Sequence, residues 1–595
     1  MRIHALACVS MMLVAAGCST AIPSRLSGRS MSREGRHPAD LVLLGGRVFT
    51  SNSAEPWAQA LAVKAGRFVY VGDDEGVRDF IGPHTQVIDC NDLLITPGFV
   101  DNHCHVFWMG GLTPFLVMLY EATDIAGTTS RVLDHAAKNP KDPFILGVGW
   151  RYQHMPGGMP HKRLLDEVIP DRPVFLWSLD GANGWVNTKA LERMRAKNPA
   201  AFEKLRPQWD EVTKEPTGAF TEFHGFNPFD FFSPDEIPPD VEDRMIQGMR
   251  KILDEALSLG VTTFNDAQMH HELLPTVLKL REQGGLAKVR ARALLHLCRE
   301  SLDDEKALTE RLQWWKETGR QLSDDRLHLG EGLKLCIDGV FGSHTAAMHE
   351  DYADAPGNKG RTLLTQETLD RVIGTADRLG LSVGTHSVGD RGITMVLDAC
   401  EKAQKANGKR DSRHRIEHCE LPVPRDIERL ADLGVYAAMQ PTHFYSDPDI
   451  DAALGLERLQ RLMPWQRLQK ANVEVSFGSD WCAGPINPVY GLLIAGTRMN
   501  YKEETDWGPE EAVSVEDAIR NWTIGSARAL FWEKEIGSIE VGKFADFVLF
   551  GEDITEAATV WFFLSHEIEL GGLDDFVLLT VVGGEIVYAR PGLEY

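Results

Sequence analysis

Eight short apolar runs, separated by amphipathic or polar stretches of helix length, constrain this chain more than any other feature. They are Thr96–His103, Val261–Asn265, Val289–His296, Leu333–Ile337, Ser382–His386, Arg415–His418, Val435–Gln440 and Val473–Gly478. Strand-like runs alternating with helical segments specify βαβ units and a parallel sheet. Eight such units close into a (β/α)8 (TIM) barrel, an α/β fold whose members span about 200 to over 400 residues. The chain has 595 residues, so the barrel leaves sequence for other parts.

Two further parts are expected. Asp40–Phe49, Ala60–Gly72 (turning at Ala65-Gly66) and Thr85–Ile95 read as β-strands, and so do Ala545–Phe550 and Val577–Tyr588 (turning at Gly583-Gly584). Residues 40–95 and 536–595 are therefore expected to pair into one small β-sandwich built from both chain ends, flanking a barrel over 96–535. Between the first two barrel strands, residues of about 110–240 are rich in Trp, Pro and Gly and read as an inserted subdomain.

The first residues do not read as fold. Arg2 and His4 precede an apolar run, Ala5 to Gly17, which is too short to span a bilayer but has the length of a signal-peptide core. Small residues before Cys18 resemble a lipoprotein cleavage box, although Ala15 replaces the more usual Leu. The expectation is a signal peptide over 1–18, a polar tether over 19–39, and a periplasmic protein or one anchored to a membrane only through lipid on Cys18. None of the nine cysteines forms a C-x-x-C pair, so neither a zinc ribbon nor a thioredoxin-like site is encoded. A net charge of -24 argues against a nucleic-acid partner, which would require clustered Lys and Arg. A small-molecule substrate is expected, and a homodimer stays open.

The strongest local feature is Pro97-Gly-Phe-Val-Asp-Asn-His103-Cys-His105. On a strand, residues two apart face the same way, so both imidazoles can grip one metal ion while Cys104 faces elsewhere. H-x-H alone is weak, because two loop histidines would look the same. Its context is stronger. Lys334, His386, His418 and Asp480 each lie at or near the C-terminal end of a different candidate strand, where barrels place catalytic groups. His84, His135, His154 and His161 fall outside the pattern and read as surface or insert residues.

These motifs resemble the amidohydrolase superfamily, and within it the amidohydrolase-3 group. The resemblance extends to Gly149-Trp150-Arg151, Trp185–Ala190, Gly260–Thr263, His386–Asp390 and Ile536–Asp546, and covers nearly everything after about residue 40. It implies that His103 and His105 hold one divalent metal, zinc by preference, and that His386 and His418 hold a second where two ions bind. Lys334 would then be carboxylated as an anionic bridge. Asp480 would bind metal or the attacking water and carry protons. The implied reaction is hydrolysis of an amide, N-acyl or N-formyl C–N bond by a metal-activated hydroxide. Trp150, Asn183, Glu222, Asp338 and His344 would border the substrate. Two departures from the group's pattern, Asp180-Gly-Ala-Asn183 and Ser343-His344-Thr-Ala346, leave the ligands intact but loosen the substrate carry-over.

Two other readings stay in view. A deaminase, or a hydrolase of cyclic amides or esters, would use the same metals, and an exported binding lipoprotein would keep the barrel without turnover. A phosphate-binding loop is excluded at Gly537–Lys543, because Phe544 and a strand follow. The G-x-S-x-G match at Gly380-Leu-Ser-Val-Gly384 opens the candidate strand Ser382–His386 and does not follow one, so it is not a nucleophile elbow.

Overall fold

In a computed structural model of the chain, residues 37–593 are described apart from 180, 222, 224–225, 233–235, 298–301, 445–447, 500–506 and 556–575. The expected signal peptide, lipid-bearing Cys18 and nearly all of the tether lie outside the described residues, as do Asp180 and Glu222. Among the described residues no helix is long and apolar enough to cross a membrane.

The eight expected strands form one parallel sheet in sequence order. They are β1 (Phe99–Cys104), β2 (Val261–Met269), β3 (Arg290–His296), β4 (Gly332–Cys336), β5 (Ser382–Ser387), β6 (Arg415–His418), β7 (Tyr436–Met439) and β8 (Val475–Phe477). Where β8 meets β1, the backbone is joined just beyond the strands. Asp480 N–H donates to His103 O at 2.7 Å, and His105 N–H donates to Trp481 O at 2.8 Å. The ring is thus tied at the end that carries the ligand candidates.

The register sets their height. His296 lies opposite Lys334, Cys336 opposite His386, and Ser387 opposite His418. Helices such as Gln366–Arg378 and Asp390–Asn407 cover the outer face. Thr365 caps the first of these by accepting from Thr368 N–H.

The chain ends meet as expected. Phe547–Phe550 pairs antiparallel with Leu94–Pro97, joining N- and C-terminal strands in one six-stranded sheet. A four-stranded sheet contains Leu41–Leu44, Ala60–Lys64, Arg67–Gly72 and Gln86–Asp89. Leu41, Leu61, Phe68 and Ile88 of that sheet share one apolar cluster with Val48, Ile95, Phe547 and Leu579 of the other, so the two sheets form a sandwich.

Two boundaries differ from the sequence reading. The strand expected over Thr85–Ile95 is two strands in different sheets. The first barrel strand begins at Phe99, not Thr96, because Leu94–Pro97 belongs to the sandwich. Gly98 makes the crossing. A Cβ there would overlap the Thr262 side chain, and its N–H donates to Asp546 O at 3.0 Å.

The segment between β1 and β2 folds on a six-stranded sheet of its own, ordered 207–209, 216–220, 184–186, 174–178, 145–150 and 116–118. Val117, Val132, Ile145, Leu176 and Trp185 are buried together in it.

Candidate metal centre

β1 ends at Cys104, and His105 follows immediately. The two histidine rings lie 5.4 Å apart, nearly perpendicular, and both turn a nitrogen toward one oxygen of Asp480. His105 Nε2 is 2.8 Å from Asp480 Oδ1, and His103 Nε2 is 3.4 Å from it. Lys334 Nζ lies 3.3 Å from His103 Nε2. Cys104 faces elsewhere, with its thiol on Asn265 O.

On the other flank, His418 packs 5.0 Å from His103 and 4.4 Å from His386. His386 Nε2 donates to Gly339 O at 3.1 Å. All six expected ligands therefore come together. His418 and Asp480 both hold left-handed backbone, φ 76° and 51°. For residues other than glycine this costs about 1–3 kcal/mol each, and such strain gathers where geometry serves a site.

Electrostatics favours ligand-ready forms. Burial, and then the Lys334 ammonium, hold His103 down to about 4, so its ring is neutral at neutral pH. Burial, and then His386, push His418 well below its ordinary range. Burial alone would raise Asp480. The surrounding histidines, with His105 in hydrogen-bond contact at 2.8 Å, outweigh it and hold the carboxylate well below the usual range.

A cation fits these residues. His103 Nδ1 faces Glu417 Oε2 at 2.6 Å, so Nδ1 carries the proton and Nε2 offers a lone pair toward Asp480 Oδ1. Two acceptors converge there beside Lys334 Nζ, and a cation lying between them would satisfy both. His105 Nδ1, also buried, has no hydrogen-bond partner. Imidazole and carboxylate donors together suit zinc and similar divalent ions.

The expected substrate neighbours fare less well. Trp150 is buried in the insert, donating to Leu176 O at 3.3 Å, and Asn183 donates to the Tyr152 hydroxyl at 2.7 Å. Neither lines the pocket above the cluster. His344 is paired with Asp354 at 2.8 Å, outside that lining. Asp338 is buried behind the ligands. It accepts from the backbone N–H groups of Ala347, Val388 and Gly389 and lies 3.8 Å from His386 Nε2.

Several residues emerge only from the fold. Trp108, Val148, Trp177, Leu179 and Phe226 line a cavity of about 110 Å³ with apolar surface, and Gln268 and His296 add polar groups to the same lining. Most of that apolar surface comes from the insert. His443 lies 3.6 Å from both Asp480 and Glu420, stacked parallel to His418. His296 ends β3, so the rule that selected Lys334 and His386 points to it as well. Glu417 and Glu420 flank His418 in sequence. His443 stands three residues beyond the seventh expected strand.

The protein-family model described as the amidohydrolase family matches residues 86–588. The chain belongs to the amidohydrolase family. It is 30% identical over 560 residues to Protein LONG AFTER FAR-RED 3 of Arabidopsis thaliana, covering 92% of each chain. It is 26% identical to N-substituted formamide deformylase of Arthrobacter pascens, covering 93% of this chain and 99% of that one. Among solved structures, an uncharacterized metal-dependent hydrolase from Pyrococcus furiosus aligns with a TM-score of 0.64 at 25% identity, covering 87% of this chain and all of that one. The coarse class follows: a metal-dependent hydrolase of the amidohydrolase superfamily.

Proposed function

We propose that this amidohydrolase cleaves the C–N bond of a small amide, N-acyl or N-formyl compound. The observation that carries the reading is the convergence of His103 Nε2, His105 Nε2 and Asp480 Oδ1 in a partly apolar pocket. The relatedness to a formamide deformylase supports the bond type.

His103, His105 and Asp480 would hold one divalent ion, zinc by preference. His386, His418 and a carboxylated Lys334 would hold a second. Bound there, the metal supplies Lewis acidity, which lowers the pKa of a water from 15.7 to about 7. The remaining work falls to the chain. Asp480, kept ionised by its histidine neighbours, takes a proton at its free oxygen and returns it to the departing nitrogen. Trp177, Phe226 and Trp108 exclude water and seat the apolar substituent. Gln268 and His296 offer polar contacts in the same pocket.

A substrate panel tests the reading. N-formyl and N-acetyl derivatives of alkyl- and arylamines are offered to the zinc-loaded protein alongside aminopurines and cyclic ureides. Release of a primary amine with formate or acetate is expected. Release of ammonia alone would move the function to deamination. Ring opening without amine release would move it to cyclic amide hydrolysis.

A further inference from the structure

A chain of polar side chains crosses the barrel interior behind the metal-ligand candidates. Asn102 Nδ2 donates to Ser476 Oγ at 2.7 Å, joining β1 to β8. Asn102 Oδ1 accepts from Arg415 Nη1 at 3.1 Å on β6. Arg415 Nε donates to Glu417 Oε1 at 2.9 Å, and Glu417 Oε2 accepts from His103 Nδ1 at 2.6 Å. Every member is buried, and the Glu417 side chain has no exposure at all.

Such a chain is costly to build. A buried carboxylate and guanidinium lose hydration, which their attraction repays only in good geometry, so a buried pair is weak evidence for a stabilising role. The fold also clears space for it. A Cβ at Gly384, on the neighbouring β5, would overlap Glu417 Oε1. The barrel core thus gives up an apolar layer and a side chain to keep one carboxylate against one imidazole.

The geometry points to Glu417, oriented by Arg415 and Asn102, as the positioning residue that fixes the tautomer and ring angle of His103. A carboxylate only accepts, so His103 Nδ1 must donate and Nε2 must present its lone pair to the site. The opposite tautomer would set a lone pair against a carboxylate oxygen at 2.6 Å. Arg415 donates from Nε to Glu417 Oε1, with Nη2 2.9 Å from the same oxygen as an ion-pair contact, leaving the other oxygen for His103. Because β1 and β6 are not neighbours, with β7 and β8 between them in the ring, the chain also makes the aim of His103 depend on their separation.

The tautomer does not depend on the proposed metal role of His103, whereas the affinity effect rests on it. Two measurements on the full chain separate them. The first is zinc affinity by chelator competition in wild type and E417Q, with folding checked by circular dichroism. A 10- to 100-fold weaker affinity is expected for E417Q, on the scale known for such outer partners of ligating histidines. R415M should follow it in direction, because it frees Glu417 to turn away.

The second needs no variant to fold differently. Imidazole nitrogen resonances of 15N-histidine-labelled wild type, with His103 assigned through H103N, should show the proton on Nδ1. A proton on Nε2 would overturn the inference. So would a folded E417Q that holds zinc as tightly as wild type. Failure of wild type to bind zinc, with the proton still on Nδ1, would instead strike the metal reading and leave the tautomer assignment standing.

Discussion

Asp101 and Ser479 clasp the first and last barrel strands. Asp101 Oδ2 accepts from Ser479 Oγ at 2.6 Å, and its Oδ1 accepts from the Ser479 backbone N–H at 3.0 Å and that of His103 at 3.2 Å. His103 and Asp480 sit immediately beside these atoms, so the clasp sets their spacing. Asp101→Ala strands the buried backbone donors of Ser479 and His103 at about 1–3 kcal/mol each, and a loss of roughly 2–6 kcal/mol is expected. Ser479→Ala removes only the hydroxyl bond and should cost about 1 kcal/mol. Urea unfolding of both variants checks the order. Equal losses would mean that the barrel closes without the clasp.

A second clasp ties the barrel to the sandwich. Arg290 on β3 donates from Nε and Nη2 to the two oxygens of Asp546, at 2.7 and 3.1 Å, with both side chains buried. Asp546 also accepts from Gly583 N–H at 2.7 Å. Removing one partner leaves a buried charge, so Asp546→Leu should lose about 3–5 kcal/mol. The double variant R290M/D546L should recover part of that loss, because no charge is then stranded. Thermal unfolding of the three proteins measures the difference, and a double variant worse than D546L would contradict the argument.

The barrel and its six ligand candidates were legible because both follow short-range rules. An apolar run followed by a helical stretch marks a parallel strand, and the C-terminal end of that strand marks the site. The same rule applied evenly would have selected His296. What stayed hidden depends on tertiary packing. Trp177 and Phe226 reach the pocket only because the insert folds back over it. Trp150 stands in a stretch that resembles the family and Asn183 in one that departs from it, and the insert uses both for its own packing and hydrogen bonds. Gly98 separates two strands that read as one, because the contact with Thr262 that demands a glycine lies more than a hundred residues away. Glu417 looked like one more polar residue beside a ligand, and nothing local reveals that it reaches across the barrel to His103.

Acid stability should carry the mark of Asp377. Burial would raise its carboxyl, but His414, Asn407 and Arg410 together hold it down to about 2, below its ordinary 3.8. Arg410 Nε donates to it at 2.7 Å and Asn407 Nδ2 at 2.9 Å. A depressed folded-state pKa contributes stability that is fully present above the unfolded value and is lost as pH falls toward the folded one. Asp377→Asn should therefore be less stable than wild type near neutrality, and the gap should narrow as pH falls from about 4 toward about 2. Urea midpoints across that range test it. A gap that does not change with pH would mean that hydrogen-bond geometry, not charge, sets the effect.

Asp480 is expected to serve both as ligand and as proton carrier, and the two roles predict different losses. Asp480→Asn keeps an oxygen that can face His105 but no longer takes up and returns a proton. If proton transfer is its main contribution, kcat should fall about 10²- to 10⁴-fold while bound metal falls far less. Lys334→Arg keeps a cation that cannot be carboxylated, so it should lower metal content toward one ion per chain. Steady-state rates and metal analysis by mass spectrometry on the same samples distinguish these outcomes. Activity that falls only in proportion to metal content in D480N would make Asp480 a ligand without a proton role. Full activity in that folded variant would remove it from the reaction, although its Oδ1 lies within 3.5 Å of both His103 Nε2 and His105 Nε2.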